Sequence, residues 1–202
     1  TINSNSSIIL RNVGLNPTRT GILEVVELMG GNVQILDKRE VSGETVGDLR
    51  VEYSDLKGCT ISGGLIPRLI DELPVIAVMA ACAEGETVVK DAQDLRNKET
   101  DRIKTVVSEL QKIGVHIEET LDGFVIAGTD TAKVVRTTVT SLTSEAKLKG
   151  GCEVNSYGDH RIAMSLYVVG MVCQNPIAIN GFEWVDISFP EFEHLMLDIA
   201  IM

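Results

Sequence analysis

The sequence predicts an α/β fold built from repeated β-α-β-α-β-β units. Three observations carry that prediction. Short apolar runs of strand length alternate with longer segments of helical period. The order in which these elements follow one another recurs at spaced intervals. With 202 residues, 44% of them hydrophobic, the chain can also bury a sizeable core.

The first copy opens on an apolar strand, Ser7 to Val13, and turns into an amphipathic helix, Thr18 to Met29, which Gly30-Gly31 stops. Alternation resumes at Val33 and Ile35, and a further strand follows from Leu49 to Tyr53, giving β-α-β-β. The second copy is fuller. It places a strand at Thr60 to Ser62, a helix from about Asp71 to Cys82, a strand at Thr87 to Lys90, and a helix from Glu99 to Ile113 closed by Gly114. Strands at Val115 to Ile117 and Gly123 to Ile126 complete it as β-α-β-α-β-β. The third copy begins near Glu153, continues through a helix from Asp159 to Val172 and a strand at Ile177 to Ile179, and ends in a helix from about Pro190. By this count the first copy lacks its opening strand and helix and the third its closing pair of strands, as in a portion cut from a larger protein. The Thr-, Ser- and Val-rich stretch from Thr129 to Lys147 suits a polar loop between units somewhat better than an edge strand.

Composition narrows the function. No apolar run approaches the ~20 residues that cross a bilayer, and the opening Thr1 to Ser7 has neither the basic nor the apolar region of a signal peptide. Cys59, Cys82, Cys152 and Cys173 follow no metal-ligand spacing and lie in apolar or Gly-flanked positions, as reduced thiols do. A reducing cytoplasm fits best. A formal net charge of -11 argues against a nucleic-acid surface. It leaves room for small anions, because a local cation cluster at helix starts acts over only ~10 Å.

Three junctions gather the chemistry. Leu95 to Ile103 contains Lys98, Glu99, Asp101 and Arg102 where a strand gives way to a helix. Unpaired N–H groups and the positive end of the helix dipole favour a phosphate or carboxylate there, and Lys98 and Arg102 stand at i and i+4 with Glu99 beside them. Acidic residues offsetting the dipole of an ordinary first turn explain the same spacing. At Gly158-Asp159-His160-Arg161, Asp159 is a good N-cap, and His160 and Arg161 oppose the dipole unless an anion compensates them. The competing explanation pairs Arg161 with a structural carboxylate. At Ile70-Asp71-Glu72-Leu73-Pro74, Asp71 suits an N-cap, with Pro74 tolerated in the first turn. Facing a cleft, it would instead accept a proton from a hydroxyl. The three histidines make no metal set, His116 and His194 read as packing or surface residues, and Trp184 and the methionines read as core.

Taken in order, Leu15 to Leu23 (Leu-Asn-Pro-Thr-Arg-Thr-Gly-Ile-Leu), Ile70 to Pro74, Lys98-Glu99-Thr100-Asp101-Arg102, Gly158 to Arg161 and Ser188-Phe189-Pro190 resemble the 5-enolpyruvylshikimate-3-phosphate synthase family over nearly the whole chain. The stretch from Asn16 to Leu23 is similar to bacterial members that tolerate glyphosate. The resemblance implies two domains of three β-α-β-α-β-β units each, with substrates in the cleft between them. Residues 1–202 would then be the C-terminal enolpyruvyl transferase domain, incomplete and without its N-terminal domain. The implied reaction moves the enolpyruvyl group of phosphoenolpyruvate to the 5-hydroxyl of shikimate 3-phosphate, through a tetrahedral intermediate, releasing phosphate and using no organic cofactor. On the matching positions, Asp71 contacts the reacting hydroxyl and acts as its base, and Glu99 transfers the proton at the methylene carbon. Lys98 binds the shikimate phosphate substrate, and Arg102 and Arg161 hold phosphoenolpyruvate.

Some positions depart from the family pattern. Ile187 stands where many relatives carry a lysine before Ser188-Phe189-Pro190, and Asp94 stands where some place a substrate-binding asparagine. The Gly-Asp-Lys-Ser and Gly-Asn-Ala-Gly-Thr motifs of the first domain are absent. The isolated chain is therefore expected to fold without catalysing. Two readings compete: a domain of the related transferase acting on UDP-N-acetylglucosamine, which should lack the Lys98 to Arg102 motif, and a non-catalytic anion-binding domain.

Overall fold

In the computed structural model, which describes residues 1–128 and 148–201, the alternating apolar residues between Ser7 and Glu52 form an antiparallel sheet. It comprises β1 (Ser7–Gly14), β2 (Asn32–Val41) and β3 (Glu44–Glu52), in the order β1-β3-β2, with α1 (Gly21–Leu28) between the first two. β2 and β3 form one long hairpin, of which the sequence pattern reveals only the two ends. Asp37, Lys38, Glu40, Val41 and Glu44 are exposed, so no alternation of apolar and polar residues marks its tip. Helix α1 begins at Gly21, later than the Thr18 start the sequence suggests. The Asn16 side chain accepts from the Thr18 amide and hydroxyl, fixing a turn where the first helical residues would have been.

The chain from Thr60 to Ala127 forms β4 (Thr60–Ile61), α2 (Leu73–Cys82), β5 (Glu86–Val89), α3 (Arg102–Ile113), β6 (His116–Glu119) and β7 (Phe124–Ala127). Its sheet runs β4-β5-β7-β6, with β4 and β5 parallel and the rest antiparallel. The antiparallel order β5-β7-β6 corresponds to β1-β3-β2 in the first sheet. Helix α2 is apolar all round and buried along nearly its whole length, as a helix inside a core must be. Both ends of α3 are fixed locally. Asp101 accepts from the Lys104 amide at 3.0 Å, and Gly114 closes the helix at φ 100°, a conformation that costs glycine little.

The chain from Leu148 to Ile201 supplies β8 (Leu148–Gly150), β9 (Glu153–Asn155), α4 (His160–Gly170), β10 (Cys173–Asn175), β11 (Ala178–Asn180) and α5 (Phe192–Ile201). β8 pairs in parallel with β10, and β9 with β11. β8 and β10 are additions to the single strands predicted near Glu153 and Ile177. The stretch from Thr129 to Lys147, predicted as a polar loop, lies outside the described residues.

One apolar core runs under α1 to α4 and includes the fully buried Met29, Leu73, Ile76, Ile103, Phe124 and Ile126. Each such side chain contributes about 1.5 to 3 kcal/mol by leaving water. A smaller cluster of Ala163, Val185 and Phe192 seats α5 on α4, with the Tyr167 ring 5.4 Å from Phe182 and 5.5 Å from Phe192. Trp184, predicted as a core filler, is 43% exposed and lies over Gly158. Among the described residues no helix is long and apolar enough to cross a membrane.

Candidate active site

Three helix beginnings, those of α2, α3 and α4, are bound together by side chains at their N-termini. Arg102, the first residue of α3, is the hub. Its Nε donates to Asp159 Oδ2 at 2.7 Å and its Nη2 to Asp159 Oδ1 at 3.3 Å. Nη1 donates to Asp71 Oδ1 at 3.1 Å, and Nη2 also to Glu99 Oε2 at 2.6 Å. Asp159 caps α4 as predicted, accepting from the Arg161 and Ile162 amides. Its second task, holding Arg102, has no local signal in the sequence, since the partner lies 57 residues away.

Asp71 collects cations from all sides. Lys98 Nζ donates to its Oδ1 at 3.2 Å, and Arg161, in the first turn of α4, brings Nη2 to 3.6 Å from its Oδ2 and donates from Nη1 to its backbone oxygen at 3.4 Å. Arg161 Nη1 also stands 3.7 Å from Glu72 Oε1.

The geometry corrects three expectations. Asp71 does not cap α2: Glu72 occupies the cap position and makes no side-chain capping bond. Lys98 and Glu99 precede α3 rather than sharing its face, because Lys98 is extended and Asp101 starts the helix. Lys98 and Arg102 nevertheless meet, on the Asp71 carboxylate. Nor is Arg102 open to an anion at the start of its helix, as its place in the sequence suggests. Asp71, Lys98 and Arg161 are 28%, 30% and 32% exposed and Glu99 is 49% exposed, but Arg102 is 1% exposed and engaged by three carboxylates. The Arg102 guanidinium is the wrong shape and charge to remain buried alone, so it draws in every acid within reach.

Burial by itself would raise the Asp71 carboxyl, but Arg161, Lys98 and Arg102 outweigh it and hold the group below its ordinary value. Burial raises Glu72, with Arg161 pulling the other way. Burial disfavours the Arg102 charge, and Asp159, Glu99 and Asp71 more than offset it. The cations of the site are spent on its own carboxylates. Arg161, with only long contacts, is the easiest to release. A shallow cavity lined by Thr18, Arg19, Arg68, Asp71 and Glu72 opens beside it. Asp94 and Ile187, the two departures from the family pattern, are exposed. Among the described residues no group of three or more His, Cys, Asp or Glu side chains is placed to hold a metal ion.

The site thus joins Asp71, Lys98, Glu99, Arg102 and Arg161 at converging helix N-termini of a mixed α/β domain. The fold alone is shared with the enolpyruvyl transferase NikO from Streptomyces tendae, 12% identical over 97% of this chain and 39% of that one, with a TM-score of 0.68. The model of the EPSP synthase (3-phosphoshikimate 1-carboxyvinyltransferase) family matches residues 1–196, and the chain belongs to that family. It is 46% identical to a 3-phosphoshikimate 1-carboxyvinyltransferase of Petrotoga mobilis, over 96% of this chain and 41% of that protein. To the protein of that name from Bacillus licheniformis it is 49% identical, over 94% and 41%. The EPSP synthase structure from Acinetobacter baumannii is 37% identical, over 98% of this chain and 42% of that one, with a TM-score of 0.89. The chain thus spans about 41% of the length of the curated relatives it matches.

Proposed function

We propose that this chain is the C-terminal portion of a 3-phosphoshikimate 1-carboxyvinyltransferase and forms one wall of its active site, the other wall belonging to an N-terminal domain. The observation that carries the proposal is the Asp71 carboxylate, met by Lys98 and Arg102 from one segment and by Arg161 from another. Phosphoenolpyruvate carries a phosphate and a carboxylate. Its arrival gives Arg161, with Arg102 behind it, a better-matched anion than Asp71, at about 1.5 to 3 kcal/mol per well-formed charge-assisted bond. Lys98 turns likewise to shikimate 3-phosphate.

Released from those cations, Asp71 regains basicity and accepts the proton of the 5-hydroxyl as its oxygen bonds to the substituted carbon of phosphoenolpyruvate. Glu99, the most exposed acid of the group, delivers a proton to the methylene carbon. Glu99 then takes a proton back from the new methyl group while phosphate leaves with the proton held by Asp71, and 5-enolpyruvylshikimate 3-phosphate is formed in the shikimate pathway, in the cytoplasm. Two carboxylates in unlike surroundings suit the paired transfers. The stretch from Asn16 to Leu23, at the edge of the cavity beside Asp71, is where glyphosate tolerance would be sought.

The test is inorganic phosphate release with both substrates. The full-length protein carrying this chain should turn over, and the chain alone should not, because orientation and desolvation between two walls account for roughly 7 to 11 kcal/mol of barrier reduction. Binding of both substrates by the full-length protein without phosphate release would support a non-catalytic anion-binding domain instead.

A further inference from the structure

We infer that Glu72 is a positioning residue for Arg161: its carboxylate holds the guanidinium off Asp71 and keeps it available to an anionic substrate group. The inference rests on the proposal above that Arg161 binds phosphoenolpyruvate.

Two arginines of the site differ in how they are held. Arg102 has three carboxylate partners, with its shortest bonds at 2.6 and 2.7 Å. Arg161 has none so close. Its contacts are 3.4 Å to the Asp71 backbone oxygen, 3.6 Å to Asp71 Oδ2 and 3.7 Å to Glu72 Oε1, all longer than the about 2.7 to 2.9 Å of a charge-assisted bond. The guanidinium is therefore shared between two carboxylates and closed on neither. Among the described residues Arg161 is the cation whose guanidinium stands within 4 Å of the Glu72 carboxylate. Glu72 holds the cap position of α2, but its side chain makes no capping bond, and its backbone amide is already given to Leu69. The start of α2 favours a negative charge there. Asp71 and the exposed Arg19 are the other charged groups whose fields reach it.

Without the Glu72 charge, the planar fork of Arg161 would close on Asp71, since arginine and carboxylate pair readily through two parallel bonds. Phosphoenolpyruvate would then have to break a formed ion pair before binding.

The experiment uses the full-length protein carrying this chain. Glu72→Gln keeps the side-chain volume and removes the charge. The KM for phosphoenolpyruvate should rise about 5-fold, the size of a partly exposed ion pair, while the KM for shikimate 3-phosphate and the Tm stay near wild type. Glu72→Asp, which retains the charge but draws it back, should give an intermediate KM. An unchanged or lowered KM for phosphoenolpyruvate in Glu72→Gln overturns the inference, as does a lower Tm with no change in KM. If Glu72→Gln does not fold, a wild-type KM in Glu72→Asp overturns it. An Arg161→Lys control separates the two layers: if that variant also keeps its KM for phosphoenolpyruvate, the role given to Arg161 is what fails.

Discussion

Arg102 and Asp159 meet across 57 residues of chain through bonds of 2.7 and 3.3 Å, with their side chains 1% and 0% exposed. The same aspartate caps α4, so the start of α3 and the start of α4 are fixed to each other through one carboxylate. Such a pair adds little net stability, because removing two charges from water offsets most of their attraction. Its effect is conditional: each member requires the other.

Asp159→Ala should therefore lower the unfolding free energy by about 3 kcal/mol, the low end for breaking a buried ion pair, since Asp71 and Glu99 still face Arg102 while the cap of α4 is also lost. Urea unfolding measures it. Arg102→Met combined with Asp159→Ala should cost less than the sum of the two single changes, since neither charge is then left alone.

Glu99→Gln in the full-length protein tests proton transfer at carbon. The side chain keeps its size and its acceptor for Arg102 while losing its titratable proton. Turnover should fall by at least ~100-fold, the low end for general acid–base catalysis, with the KM for phosphoenolpyruvate little changed. Wild-type turnover would remove Glu99 from the mechanism.

Asp71 gives stability a pH dependence of known sign. Its carboxyl is held below the ordinary 3.8 when folded, so the folded state binds fewer protons there than the unfolded one. The contribution is fully present above 3.8 and is lost as pH falls through the depressed value. The stability difference between wild type and Asp71→Asn, followed by urea unfolding from neutral pH into acid, should hold steady at first and shrink below that point. A difference that grew on acidification would contradict the arrangement of Lys98, Arg102 and Arg161 around Asp71.

Gly123 and Gly64 should respond oppositely to alanine. A Cβ on Gly123 would lie 2.0 Å from the Val89 backbone oxygen, which cannot move without opening the β5–β7 pairing, whereas a Cβ on Gly64 meets nothing within 4 Å. Gly123→Ala should destabilise by about 3 kcal/mol, the upper end for overpacking. Gly64→Ala should be neutral or stabilising by up to about 1 kcal/mol, through the unfolded chain. Thermal melts of the two variants make the comparison.

Burial pushes the Cys173 thiol up to about 11, and its Sγ donates to the Val169 oxygen at 3.2 Å. Against an ordinary thiol at 9.0, its thiolate population at pH 8 should be roughly 100-fold smaller, and alkylation slower in proportion. Mass-spectrometric timing of iodoacetamide labelling at Cys173 reads this directly.

What the sequence determined by itself was whatever a few neighbouring residues decide. Gly114 closes α3, Asp159 caps α4, and unbroken apolar composition marks α2 as a core helix, because capping, glycine turns and hydrophobic period act within one or two turns of chain. The residues of the proposed site were nameable for the same reason, since each sits in a short motif at a helix start. Tertiary structure alone decided how they meet. Asp71 could serve as a cap by local rules and serves as an acceptor for Lys98, Arg102 and Arg161. Arg102 looks like an open anion-binding cation and is buried against Asp159, while Trp184 looks like core and is exposed. Those outcomes depend on charges brought together from segments tens of residues apart, where desolvation and Coulomb attraction act through space and leave no periodic trace along the chain.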